Sequence, residues 1–271
     1  MTLKEAFDYS FSFLNENNID EADFKALTVC CHIAGIRNSE YHFYKEQIIS
    51  DKKLADYLWK LKTGEPLQYV IGKWDFFDSE FYVGEGVLIP RPETEELVEL
   101  AINNLKNVNN PIVIDLCSGT GCIGISIAKA IPNSKVYCIE KSKKAYSYLL
   151  KNANGVDNVV SINDDIFNDI DMEKADLIIS NPPYIKSCDI QNLQDEVKRE
   201  PNMALDGGVD GLDFYRVIND KWFGYLKQNG LLLLEIGNDQ GSDIFDILTN
   251  FWGIEVKKDL YGNDRMVVAR G

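Results

Sequence analysis

Histidine is almost missing from this 271-residue chain, which has only His32 and His42, both in its N-terminal third. Chemistry that needs an imidazole base therefore has few candidates. Cysteine is present six times, as Cys30, Cys31, Cys117, Cys122, Cys138 and Cys188, but never as a C-x-x-C pair and never beside a histidine cluster. Metal-ligand spacing is thus absent and no metal is expected; several of these thiols sit in apolar surroundings that suit reduced, buried side chains. Basic residues are in deficit, 28 Lys and Arg against 43 Asp and Glu, a formal charge of −15. A body this acidic repels phosphate backbones and favours basic partners, so direct nucleic-acid binding is not expected. No apolar run approaches the roughly 18 residues of a membrane span. The start, Met1 to Asp8, carries acids where a signal peptide would build its apolar stretch. There is no internal repeat and no low-complexity tract. The expectation is a cytoplasmic protein with no membrane association.

What is present is the texture of a globular chain, 45% apolar and 26% charged, of a length that suggests about two domains. Residues up to about 62 read as helices. Leu3, Ala6, Phe7, Ser10, Phe13 and Leu14 follow a buried helical stripe; Asp20 is placed to cap a second helix through Phe24, Leu27, Val29 and Cys31; Leu54, Tyr57, Leu58 and Leu61 repeat the pattern before Gly64 and Pro66. From Trp74 to Val87, aromatic residues among acids and glycines predict short strands, read as a hairpin. Pro92, with Glu93, Glu95 and Glu96 after it, marks a helix start whose acids meet the positive dipole end. Beyond Pro111, strand candidates at 112–116, 135–140, 158–162, 175–180, 231–236, 253–258 and 265–270 alternate with helical stretches. That predicts an α/β fold, a largely parallel sheet covered by helices on both faces. Ligands of such sheets bind beyond the carboxyl ends of the strands, so the residues just past each strand matter most.

The first strand runs into Asp115-Leu116-Cys117-Ser118-Gly119-Thr120-Gly121-Cys122-Ile123-Gly124, a G-x-G-x-x-G loop between strand and helix. Glu140 closes the second strand, where its carboxylate can accept from both hydroxyls of a ribose. The third strand leads to Asp165 and Ile166, an acceptor for an adenine amino group beside an apolar flank. Two ligands fit this much: a nicotinamide dinucleotide or S-adenosylmethionine. Asp115 leans towards the second, because an acid there would face a pyrophosphate unfavourably and would tolerate ammonium and sulfonium charges.

After the fourth strand comes Asn181-Pro182-Pro183-Tyr184. The prolines fix their own φ, hold Asn181 extended and remove two backbone donors. The side-chain oxygen of Asn181 and the carbonyl of Pro182 can accept both hydrogens of one planar NH2 group, with Tyr184 offering it a flat face. An amide or aromatic amine is a poor nucleophile because its lone pair is delocalised. Accepting both N–H hydrogens orients the nitrogen and stabilises the positive charge that develops as it takes a methyl group. No histidine is needed, only alignment of nitrogen and methyl carbon.

Together these residues resemble those of a known family. The loop 115–121, Glu140 and Asn181 to Tyr184 are similar to those of class I S-adenosylmethionine-dependent methyltransferases acting on planar nitrogen. Leu88-Ile89-Pro90-Arg91-Pro92-Glu93-Thr94-Glu95 resembles the signature of the peptide chain release factor glutamine methyltransferases, the PrmC/HemK family; 64–72 resembles the segment that precedes it. The resemblance spans nearly the whole chain. It implies a Rossmann-like catalytic domain with a seven-stranded, mostly parallel sheet and a small N-terminal helical domain. It also implies methylation of the glutamine side-chain amide in the Gly-Gly-Gln loop of bacterial class I release factors, with S-adenosylhomocysteine as product. Carried over by position, Cys117, Ser118, Gly119, Thr120, Gly121, Glu140, Ile166 and Asn181 would contact the cofactor. Asn181, Pro182, Pro183 and Tyr184 would hold the glutamine. Ile166 stands where some relatives carry a tryptophan, and Cys117 where a glycine is common.

The expected boundaries are a substrate-recognising helical domain at 1–73, a hairpin linker at 74–92 and the methyltransferase domain at 93–271, in a monomer. Arg91 has two readings, as pairing with a nearby acid such as Glu93 or Glu95 or as shaping the substrate channel, and Glu235, Asp264 and Arg265 are read as strand-end packing and surface pairing. The alternatives are an adenine-N6 methyltransferase using the same Asn-Pro-Pro-Tyr logic, which the −15 charge opposes; a dehydrogenase; and a docking module on an inert scaffold.

Overall fold

The computed structural model describes residues 1–271, which divide into two compact units. The first comprises residues 1–73 together with 194–199. Its helices are α1 (Leu3–Glu16), α2 (Ala22–Ala34), α3 (Asp51–Lys62) and the short α4 (Leu67–Ile71). Thr2 caps α1 in a reciprocal capping box with Glu5, satisfying two of the free donors at the helix start. Leu3, Ala6, Ser10 and Leu14 form the buried stripe. The second helix departs from expectation. Its N-cap is Glu21 in the left-handed region, not Asp20, and Phe24 faces solvent while Lys25 turns inward. The buried ammonium of Lys25 is matched by Glu196 at 2.5 Å, and Arg199 donates to the carbonyl of Thr63 at 2.8 Å. A stretch distant in sequence thus completes this unit.

The second unit, residues 74–193 and 200–271, holds the sheet. It opens with a two-stranded ribbon, β1 (Lys73–Phe76) and β2 (Ser79–Tyr82), whose Phe76 and Phe81 meet edge to face in the core. Helix α5 (Pro92–Leu105) starts at proline, as expected. The main sheet comprises β3 (Ile112–Leu116), β4 (Lys135–Ile139), β5 (Val159–Ile162), β6 (Ala175–Ser180), β7 (Leu226–Glu235), β8 (Trp252–Lys258) and β9 (Asp264–Arg270). Their order is β5-β4-β3-β6-β7-β9-β8. Strands β3 to β7 run parallel, and β9 is antiparallel to both of its neighbours. The connecting helices are α6 (Cys122–Ala130), α7 (Lys143–Asn152), α8 (Asp213–Asp220) and α9 (Gly241–Ile247).

Strand alternation sends Val113, Leu177 and Leu233 to a core with α5 and α6, and Ile114, Ile178 and Leu234 to a second core with Tyr215, Trp222 and Ile244. Strand β7 begins five residues earlier than the pattern indicated. Its start, Lys227-Gln228-Asn229, is polar, and Asn229 adopts a positive φ with a register shift opposite. A bulged strand entry reads in sequence as a turn. Because β4 leaves β3 on one side and β6 on the other, the crevice for a ligand opens between the carboxyl ends of β3 and β6.

Candidate active site

An open cavity lies at those strand ends. The glycine loop forms one wall. Ser118 N donates to Ile139 O at 2.9 Å and Ser118 Oγ to Asp115 O at 2.8 Å, tying the loop to two strands. Gly121 caps α6 at φ +80°, a conformation glycine adopts without a Cβ penalty. Cys117 sits at φ +58°, so this side chain takes on backbone strain where glycine would not.

Glu140 stands at the end of β4, almost buried. Its Oε2 accepts from Gly119 N at 2.8 Å and its Oε1 from Ser142 N at 2.7 Å. Each oxygen keeps a further lone pair for a ribose hydroxyl. Burial raises its pKa, and the amide donors of Ser142 and Gly119 pull it back. Asp165 pairs with Lys141 at 2.8 Å and accepts from Phe167 N, while Ile166 and Phe214 supply apolar wall.

The structure brings Cys117, Ser118, Gly119, Thr120, Glu140, Asp165, Ile166, Asn181 and Pro183 together on the cavity surface. Asp115, Gly121, Pro182 and Tyr184 are not on it. Asp115 is a correction to the reading that set its carboxylate against a ligand's positive charge. It is wholly enclosed, its Oδ2 accepts from Gly124 N at 3.0 Å, and its Oδ1 has no partner. Burial pushes its pKa up to about 7, against the hydrogen bond from Gly124. Alternation explains the placement: Asp115 shares the α6 face of β3 with Val113, and Gly124 leaves the space that it fills.

The Asn-Pro-Pro-Tyr turn is anchored from several sides. All peptide bonds are trans. Ser180 Oγ donates to Leu116 O at 2.7 Å, and Gln240 Nε2 donates to Tyr184 O at 3.0 Å. Asn181 Nδ2 donates to Thr94 Oγ1 at 3.2 Å, and that hydroxyl donates to Glu235 Oε2 at 2.6 Å. The Tyr184 ring packs, half-buried, against the second core, which together with Glu235 pushes its phenol up to about 12.

Arg91 lines the cavity and pairs with Glu200, not with Glu93 or Glu95. Glu200 is buried and also accepts from Ile89 N at 3.0 Å, fixing the Ile-Pro-Arg-Pro segment. Glu95 is occupied elsewhere, by Phe77 N. Sequence reasoning missed Glu200, Met203 and Phe214, for which no local pattern existed. Glu235, expected as strand-end packing, is buried at the end of β7 and bonded to Thr94, a partner that the sequence did not indicate. The two cations on the cavity, Arg91 and Lys141, are each matched by a carboxylate. A pyrophosphate would find no uncommitted charge there, whereas a ribose and a positively charged sulfur would find acceptors.

Strand order, antiparallel β9 and a glycine loop at the point where the strand order reverses define a class I methyltransferase. Residues 95–208 match the model of the methyltransferase small domain, and residues 5–72 that of the PrmC N-terminal domain. The chain is 39% identical to the release factor glutamine methyltransferase of Thermodesulfovibrio yellowstonii, over 96% of this chain and 94% of that one. It is 38% identical to the protein of the same name from Clostridium acetobutylicum, over 99% and 98%. The solved hMettl16 catalytic domain, in complex with a MAT2A 3′UTR hairpin, shares the fold at 15% identity and TM-score 0.56, over 69% of this chain and 73% of that one. The chain belongs to the release factor glutamine methyltransferase family. The dehydrogenase and inert-scaffold readings fall with that membership. No helix is long and apolar enough to cross a membrane.

Proposed function

We propose that this protein moves a methyl group from S-adenosylmethionine to the side-chain amide nitrogen of the glutamine in the Gly-Gly-Gln motif of bacterial class I peptide chain release factors. The cofactor supplies a methyl group activated on a sulfonium. The observation that carries the reading is the placement of Asn181, on the same cavity as the glycine loop and Glu140, with its amide tethered through Thr94.

Glu140 would accept from the ribose, and Asp165 with Ile166 would meet the adenine. Asn181 would accept one hydrogen of the substrate NH2 and the Pro182 carbonyl, which adjoins the cavity wall without lining it, would accept the other as substrate enters, orienting the nitrogen and stabilising the charge that grows there. Pro183 would shape the rim and Tyr184 would back the planar group. The helical unit, with exposed Phe43, Ile48 and Trp59, would recognise the release factor beyond its glutamine loop. The acidic surface complements a basic partner, so complex formation should weaken with salt. The reaction would run in the cytoplasm, with the protein as a monomer.

The test is mass spectrometry of a release factor incubated with the protein and S-adenosylmethionine. One methyl group on the Gly-Gly-Gln glutamine, lost with Asn181→Ala, is the expected result. Label on duplex DNA or RNA with none on the release factor would overturn it in favour of adenine methylation.

A further inference from the structure

Thr94 is buried and has a single hydroxyl proton. The Glu235 carboxylate takes it at 2.6 Å, so towards Asn181 the same oxygen can act only as an acceptor. It accepts from Asn181 Nδ2 at 3.2 Å. The NH2 end of the Asn181 amide is therefore committed to Thr94. The carbonyl end is left for the cavity that Asn181 lines.

We propose that Thr94 and Glu235 are positioning residues that fix the polarity of the Asn181 amide, so that the site takes an NH2 group and rejects a carboxylate oxygen in its place. The inference rests on the methyl-transfer reading and deepens it. It explains how one asparagine, able in principle to present either end, selects glutamine over glutamate. An acceptor facing a carboxylate leaves two buried oxygens opposed without a proton between them, a cost that falls only on the wrong substrate.

Glu235 is placed to act as the polarity reference. Its Oε2 holds the Thr94 proton, and Arg265 on β9 and Arg91 before α5 lie near enough to favour its charged form. Glu93 on α5 opposes it, and the phenols of Tyr184 and Tyr215 face it from the turn and from α8. Burial outweighs the cations and pushes its pKa up to about 7. When protonated, Glu235 becomes the donor to Thr94. The hydroxyl is then free to donate to Asn181, and the amide turns its NH2 end to the cavity. Methyl transfer should therefore rise with pH through about 7.

The test compares wild type, Thr94→Val and Thr94→Ser in methylation of a release factor across about pH 5.5 to 8.5, with S-adenosylhomocysteine binding as the check on an intact cofactor cradle. Thr94→Val keeps the side chain's shape and removes the hydroxyl. Its kcat should fall about ten- to a hundredfold, the cost of an Asn181 carbonyl no longer held towards the developing charge, with the cofactor KM unchanged. Its rising limb should vanish. Thr94→Ser should recover most of the rate and the limb. Equal impairment of both variants would make Thr94 a packing residue and overturn the proposal, as would wild-type kcat in Thr94→Val or a flat wild-type profile. A wild type that binds S-adenosylhomocysteine but leaves the release factor unmethylated would sink the activity reading itself, and this inference with it.

Discussion

Replacing Asp115 by Asn should stabilise the protein at pH 8 and leave it close to wild type at pH 5. The native carboxyl ionises at about 7, against an ordinary value of 3.8, because it is fully enclosed and one oxygen has no partner. Burial raises its pKa in the folded state, so between these values the folded protein holds a proton that the unfolded chain has lost. Its stabilising contribution is complete below about 4 and disappears as pH rises through about 7. Between pH 5 and 8 that loss is about 3 kcal/mol, at about 1.4 kcal/mol per pH unit. Glu235, also raised to about 7, adds a loss of similar size over the same window. Acids held below their ordinary values, such as Asp164 and Asp210, act in the opposite sense and at lower pH, outside this range. The introduced asparagine would keep the bond from Gly124 but bury an extra NH2, costing about 1–3 kcal/mol at every pH. The variant should thus lie within about 1.5 kcal/mol of wild type at pH 5, be about 1–3 kcal/mol stronger at pH 8, and have a shallower slope. Urea unfolding at several pH values measures this directly. A wild type as stable at pH 8 as at pH 5, or a variant whose profile runs parallel to wild type, would refute the reasoning.

Gly124→Ala puts a Cβ against Cys138 Sγ and 2.9 Å from Asp115 Oδ2, both wholly buried, so it should cost about 1–3 kcal/mol in urea and weaken S-adenosylhomocysteine binding; unaltered values would show that the β3–α6 packing has slack. Arg91→Ala leaves Glu200 buried without its ion-pair partner, and about 1–2 kcal/mol should be lost after allowing for the partly exposed guanidinium, with Glu200→Gln milder; an unchanged urea midpoint for Arg91→Ala would remove that pair from the account of the loop. Burial pushes Cys30 and Cys31 up to about 11 and Cys122 to about 12, whereas Cys188 is exposed, so brief alkylation at about pH 8 should give a single adduct that peptide mapping assigns to Cys188; an adduct on any of the buried thiols instead would contradict their enclosure.

Periodicity and strand-end chemistry were readable along the chain because each depends on residues a few positions apart. A glycine loop after β3, a carboxylate closing β4 and an Asn-Pro-Pro-Tyr turn after β6 must share one edge, since parallel strands bring all their carboxyl ends to the same side. The direction of Asp115 was available in the same pattern, in its two-residue spacing from Val113 and in the small Gly124 beyond, but a reading centred on ligand charge passed over it. Other features had no local trace. Glu200 reaches Arg91 across 109 positions and Thr94 reaches Glu235 across 141. Lys25 is buried because Glu196, from a loop between two strands, comes back to meet it. Such pairs depend on sheet register and on which rotamer the packing leaves open, and neither is encoded in a neighbouring residue's type. The ends of the strands located the cavity; the folded chain alone determined which way the amide of Asn181 faces, because its orientation is set by a proton held two side chains away.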